Sequence, residues 1–266
     1  MQYLTTLYTD IGIKKKVNQD SALLMEADSA FGPILFAALC DGMGGLAKGE
    51  VASGKLTRAL SKWFETDFPL ALSVSGEGFA MREFRNEMNH LVSRIGDEIE
   101  EYSKRIGALC GTTITAVLIF QGRYYIVNVG DTRAYLFRDG GVQLTKDHTY
   151  VQMEVDAGRM TKEEAYNHPK RSILTQCVGA SEIIRPDFFE GDVREGDLFV
   201  LCCDGFRHVL TMKEMEQLFT DENTKDARTL KRLAVHCTET VKKREEKDNI
   251  TVEFIKILPD PEADHA

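Results

Sequence analysis

Four aspartates fall where apolar runs end or begin. Asp41 follows ILFAALC, Asp131 follows YYIVNVG, Asp204 follows LFVLCC, and Asp248 comes just before ITVEFIKI. Asp-Gly after an apolar run is also the ordinary chemistry of a turn. One such acid would carry no further meaning, but four suggest carboxylates gathered at one edge of a sheet core. Carboxylates gathered in this way repel one another unless a cation neutralises them. With no His or Cys motif at metal spacing, an all-oxygen donor set selects Mg²⁺, Mn²⁺ or Ca²⁺ over Zn²⁺. No stretch matches the acidic loop of an EF-hand, which weakens a calcium-sensor reading. Residue order alone leaves open whether the four acids meet in space.

The elements that must carry these acids follow from periodicity. Residues 46–66 and 79–106 repeat apolar side chains at three- and four-residue spacing, as amphipathic helices do. A second helical pair is expected near 211–220 and 226–246. Short β-branched or aromatic runs at 33–40, 112–120, 123–130, 133–138, 197–203 and 249–257 read as strands. Gln121-Gly122 between two of them is a hairpin signal. Strands cluster and helices come in pairs without βαβ alternation, so an antiparallel α+β fold is favoured over a doubly wound sheet.

Composition narrows the function classes. The 266 residues are 43% hydrophobic, which supports a packed core, and carry a net charge of −9, which gives no footprint for nucleic acid or an anionic membrane. The longest apolar run, Ile34 to Cys40, is far too short to span a bilayer. No basic segment followed by an apolar stretch opens the chain, so no signal peptide is expected. The six cysteines form no CxxC pair, and Cys40, Cys202 and Cys203 close apolar runs. They read as small buried residues of a cytoplasmic protein. No linker or repeat divides the chain; one domain over 1–258 is expected, with a frayed tail at 259–266.

A set of motifs adds to this reading. DGMGG at 41–45, GTTITAVLI at 111–119, GDTRAY at 130–135, the stretch 144–180, CCDGF at 202–206 and DNITV at 248–252 occur in that order. Together they resemble the bacterial branch of the metal-dependent protein phosphatase 2C family of Ser/Thr phosphatases, over about Tyr8 to Ile257. The resemblance implies a four-layer α-β-β-α sandwich, with two antiparallel sheets flanked by helix pairs and a metal site at one end. It implies two or three Mn²⁺ or Mg²⁺ ions, with Asp41 bridging two of them. Asp204 and Asp248 would complete the first site, and the Gly42 carbonyl would reach the second. Asp131, shared with Asp204, would hold a third. Asp41, Asp204 and Asp248 would thus be the catalytic acids, supporting direct attack of a metal-bridging water on phosphoserine or phosphothreonine. The expected protein is a monomer acting on phosphorylated proteins, with a cognate Ser/Thr kinase as its counterpart and no nucleic-acid or membrane partner. Residues 145–180, articulated at Gly158 and Pro169, would form a flap that influences substrate choice.

The chain departs from the family pattern at its phosphate-binding segment. Where the family usually reads Gly, then Arg three residues on, then Asn-Glu-Asp, this chain has Gly12-Ile13-Lys14-Lys15-Lys16-Val17-Asn18-Gln19-Asp20. Lys15 takes the Arg position as the candidate phosphate ligand, offering a point charge in place of a bidentate fork. Gln19 takes the Glu position and costs the second metal a negative charge. Gln19, Asp20 and Asn249 are candidates for contacts just outside the metal ligands. Met43 stands where many eukaryotic members carry a His, and a thioether cannot donate a proton. His148 and His168 suit structural or substrate contacts better than catalysis.

Rival chemistries fail on context. Gly49 to Lys55 nearly spells a nucleotide-binding P-loop, but Leu56 follows and the segment reads as helix. His236-Cys237 lacks the glycines and the Arg of a cysteine phosphatase loop. The remaining alternative is a catalytically weak or inactive phosphatase fold kept as a binding module. Lys15 and Gln19 favour it; the intact Asp41, Asp204 and Asp248 oppose it.

Overall fold

The computed structural model describes residues 1–43 and 48–259, apart from the side chain of Glu77. Gly44 and Gly45 of the DGMGG motif and tail residues 260–266 lie outside the described residues.

Two antiparallel sheets face each other. The first runs β1 (Gln2–Asp10), β11 (Ile250–Leu258), β10 (Leu198–Cys202), β7 (Arg133–Phe137) and β8 (Gly141–Gln143). The second runs β2 (Asp20–Ser29), β3 (Gly32–Met43), β5 (Ile114–Phe120), β6 (Arg123–Val129) and β9 (Asp187–Asp192), with β4 (Gly111–Thr112) paired to the end of β3. Helices α1 (Gly49–Lys62), α2 (Phe68–Ser75) and α3 (Met81–Ile106) pack on the second sheet. Helices α7 (Met212–Leu218) and α8 (Ala227–Lys243) pack on the first, preceded by the single turn α6 (Asp204–Arg207). Two short helices, α4 (Tyr150–Asp156) and α5 (Lys162–Asn167), lie in the 145–180 stretch. This is the α-β-β-α sandwich, with both sheets antiparallel.

The parity of β3 explains its sequence. Leu35, Ala37 and Leu39 pack toward the other sheet, while Ile34, Phe36, Ala38 and Cys40 pack against the helices. Both faces are buried, so the run is continuously apolar rather than alternating. Strand β3 extends past this run to Met43, so Asp41 is a strand residue with the parity of Leu39 rather than a turn residue.

Two expectations need correction. The helix expected over 46–66 runs on through a π-helical turn at Trp63–Asp67 into α2, ending at Ser75. That turn lets Trp63, Phe64 and Phe68 all stay buried against Phe36 and its neighbours, which straight helical spacing would not suggest. The expected strand set also omits β1, β2, β8 and β9, which are the four sheet edges. The hairpin signal holds: Gln121 and Gly122 both have positive φ (50° and 70°) between β5 and β6. All six cysteines are buried and unpaired. Among the described residues no helix is long and apolar enough to cross a membrane.

Candidate metal centre

Register brings the first two acids together. Asp20, the first residue of β2, lies directly opposite Asp41 of β3. The Asp41 backbone is pinned from β4 and the residue beyond it: Asp41 N donates to Thr113 Oγ1 (2.9 Å), and Thr113 N donates back to the Asp41 carbonyl (2.9 Å). Thr112 Oγ1 donates to the same carbonyl at 3.0 Å. Gly42 N donates to the Gln19 carbonyl, 3.0 Å away. A Cβ at Gly42 would collide with the carbonyl oxygens of Gly49 and Gln19, so only glycine lets these backbones approach.

The opposite sheet supplies two more acids, and Asp131 lies between β6 of the sheet that carries Asp41 and β7 of the other. Asp204 opens α6 directly after β10, and Asp248 stands two residues before β11. Gly205 lies so close to the Asn249 carbonyl that a Cβ would collide with it, which keeps these two segments together. Thr251 of β11 reaches across to Asp20 and donates to its Oδ2 at 2.6 Å.

These carboxyls interact strongly. Burial, and then the charges of Asp20, Asp204, Asp131 and Asp248, push Asp41 well above the usual carboxylate range. Asp20 is pushed up to about 7, mainly by burial and further by Asp204 and Asp248. Burial followed by Asp204 does the same to Asp131, also to about 7. Asp204 is raised by burial and by Asp248, against the opposing pull of Arg207. Among the described residues no three Asp, Glu, His or Cys side chains converge tightly enough to hold an ion as they stand. Instead, Lys15 Nζ lies 2.6 Å from Asp248 Oδ1, and its ammonium also feels Asp41 and Asp204. Asp20 Oδ1 is buried with no hydrogen-bond partner among the described residues. Crowded all-oxygen acids, an orphaned buried carboxylate oxygen and a leaning ammonium fit a site built for hard cations.

Asn249 fastens the Lys15 segment to this centre. Its Oδ1 accepts from Gln19 N (2.9 Å), and its Nδ2 donates to the carbonyls of Ile11 (2.9 Å) and Val17 (3.2 Å). The Gln19 side chain donates to Glu50, with Nε2 to Oε2 at 3.4 Å. Lys14 and Lys16 form no ion pair among the described residues. His148 is bonded through both ring nitrogens. Its Nδ1 accepts from Gly130 N (3.1 Å), which leaves Nε2 to bond Asp187 Oδ2 at 3.0 Å. His168 Nδ1 accepts from the neighbouring Lys170 N.

Several residues at the site escape a reading of spacing. Arg207 donates to the Asp131 carbonyl (2.7 Å) and lies 3.4 Å from both Asp131 Oδ2 and Asp147 Oδ2. Arg133 grips Asp147 through two bonds, of 2.8 and 2.7 Å. Glu246 accepts from His208 Nδ1 (2.6 Å) and from the backbone N–H of Lys247 and Asp248 (2.7 and 3.2 Å). The one available signal was closeness in sequence, since Arg133 and Arg207 follow Asp131 and Asp204 by two and three residues.

The family model for protein phosphatase 2C matches residues 13–248. The chain belongs to the protein phosphatase 2C family. That family is metal-dependent. The chain is 38% identical over 179 residues to the serine/threonine protein phosphatase PstP of Mycobacterium tuberculosis, a match covering 67% of this chain but only 33% of PstP. It is 32% identical over 220 residues to the serine/threonine phosphatase stp of Listeria monocytogenes, covering 81% of this chain and 82% of that protein. Its fold is similar to the S. agalactiae serine/threonine phosphatase, with a TM-score of 0.81 at 30% identity over 96% of this chain and 100% of that one. It is also similar to the catalytic domain of PstP in complex with two manganese ions, with a TM-score of 0.75 at 27% identity over 97% and 99% of the chains.

Proposed function

We propose that this chain is a metal-dependent phosphatase of phosphoserine and phosphothreonine in proteins, cytoplasmic and monomeric, with a Ser/Thr kinase as its counterpart. Residues 1–258 act as one catalytic domain, and 145–180 act as a flap that shapes substrate access. The observation that carries the reading is the cluster itself: Asp20 and Asp41 from one sheet, and Asp204 and Asp248 from the other, coupled by charge beside Lys15.

Asp41, Asp204, Asp248 and the Gly42 carbonyl would hold two Mn²⁺ or Mg²⁺ ions, and Asp131 with Asp204 a weaker third. Bound, such ions lower the pKa of a water toward neutrality and offset charge on phosphoryl oxygens. The chain's own work is positioning. Thr112 and Thr113 fix the Asp41 backbone, Arg207 fixes Asp131, and Asn249 holds the segment that presents Lys15 to a phosphate. Met43 offers no proton, so the leaving alkoxide takes its proton from another source. Lys15 and Gln19 are the departures that would suit an inactive fold, but Asp41, Asp204 and Asp248 are all present and support the active reading.

The test is hydrolysis of p-nitrophenyl phosphate and a phosphothreonine peptide with Mn²⁺, then with chelator. Turnover that needs the metal supports the reading; turnover unaffected by chelator, or none with Mn²⁺, contradicts it.

A further inference from the structure

A cavity of about 510 Å³ opens beside the acids, reaching Asp131, Asp204 and Asp248 at one end and the 145–180 stretch at the other. Its lining carries five carboxylates and five Lys or Arg side chains, but not all of these cations are engaged. Asp147 is held by Arg133, Asp131 by Arg207, and Glu246 by His208. Asp204 and Asp248 are the proposed metal ligands. That leaves Lys162, Arg171 and Lys247, which also line the cavity and form no ion pair among the described residues. Lys162 opens α5, Arg171 follows Pro169 in the flap stretch, and Lys247 immediately precedes Asp248. Three cations without an ion-pair partner among the described residues thus border one cavity, in a chain of net charge −9.

We propose that Lys162, Arg171 and Lys247 form an anion-binding wall that selects phosphosubstrates with anionic groups beside the phosphorylated residue. The inference rests on the phosphatase reading above and names the substrate class that this site prefers. The flanking anion can be an Asp or Glu carboxylate or a second phosphate, since an ammonium recognises either as a point charge. Lys162 and Lys247 are exposed and Arg171 half-buried. Such solvent-facing cations act on encounter rate and specificity more than on raw affinity, and salt screens them.

The experiment compares phosphothreonine peptides that differ only in their flanks: Ala, Glu, Lys, or a second phosphoserine. At low salt with Mn²⁺, kcat/KM for the Glu-flanked peptide should exceed that for the Ala-flanked one about fivefold, with the Lys-flanked peptide lowest. The gap should close near about 0.5 M salt. In the double variant Lys162→Glu/Lys247→Glu the Glu-to-Ala ratio should fall to one or below. Lys162→Arg/Lys247→Arg should retain it. Because the readout is a ratio within each variant, changes in basal turnover cancel. A larger gain from the second phosphate than from Glu would support the wall and assign it to phosphate. Equal kcat/KM for Glu-, Ala- and Lys-flanked peptides, or a ratio unchanged by the double charge reversal, would overturn the inference while leaving the phosphatase reading standing. Failure to hydrolyse any peptide, the Ala-flanked one included, would overturn both.

Discussion

Asp20 of β2 and Asp41 of β3 face each other directly across an antiparallel ladder. Like charges at such a cross-strand position destabilise a sheet by up to about 1 kcal/mol. Here burial and two further aspartates from the opposite sheet add to the repulsion. The sandwich holds this arrangement with bonds to the backbone of Asp41 and a single hydroxyl, from Thr251, on Asp20. A crowded acidic mouth on a well-packed core fits the proposed cation site.

Metal-free stability should therefore depend on pH in the less usual direction. Asp20 is raised from 3.8 to about 7, so between those values the folded chain holds more protons than the unfolded one. Stability from this group is present at low pH and lost as pH rises toward 7. Thermal melts in chelator should give a higher Tm near pH 5.5 than near pH 8, and Asp20→Asn should shrink the difference. Mn²⁺ should raise Tm more at pH 8 than at pH 5.5, because ligation requires the deprotonated acids. A difference between the two pH values that Asp20→Asn leaves untouched would remove Asp20 from the account.

Lys15 is the one lysine of its triplet seen on an acid of the centre. If it binds the substrate phosphate, Lys15→Ala should raise KM for a phosphopeptide more than it lowers kcat. Lys15→Arg should keep or improve KM, since a planar fork replaces a point charge. Lys14→Ala and Lys16→Ala should change little. Steady-state kinetics at saturating Mn²⁺ decide it; equal small effects at all three positions would mean a diffuse basic patch.

Glu253 is a separate liability. It is fully buried in β11, burial pushes its carboxyl well up, and neither oxygen finds a hydrogen-bond partner among the described residues. Replacing an unsatisfied buried acid with an apolar side chain removes a cost of about 1–3 kcal/mol. Glu253→Leu should raise the urea midpoint at pH 7.5, and Glu253→Gln should weaken the loss of stability as pH rises above the ordinary Glu range. A lowered midpoint in Glu253→Leu would mean that the carboxyl has a partner after all.

How much of this was legible in the sequence follows from burial. The six strands expected are central or doubly covered, so they appear as apolar runs. The four missed strands are edges, whose solvated faces dilute the signal, as in QYLTTLYTD of β1 and DFFEGD of β9. Asp41, Asp131, Asp204 and Asp248 stand out because an acid at the end of an apolar run is conspicuous. Arg207, Thr113 and Glu246 do not, because their roles exist only through contacts between segments 38 or more residues apart, or through one backbone turn. Lys162 and Lys247 read as ordinary exposed lysines until the cavity they line is seen.

The account stands or falls on Asp41, Asp204 and Asp248 as ligands of a divalent cation. Calorimetric titration of Mn²⁺ into the metal-free wild type and into Asp41→Asn tests this without relying on turnover. The wild type should bind at least two ions, and Asp41→Asn should lose the tightest binding while still unfolding cooperatively. Mn²⁺ binding of unchanged stoichiometry and affinity in folded Asp41→Asn would contradict the account at its centre.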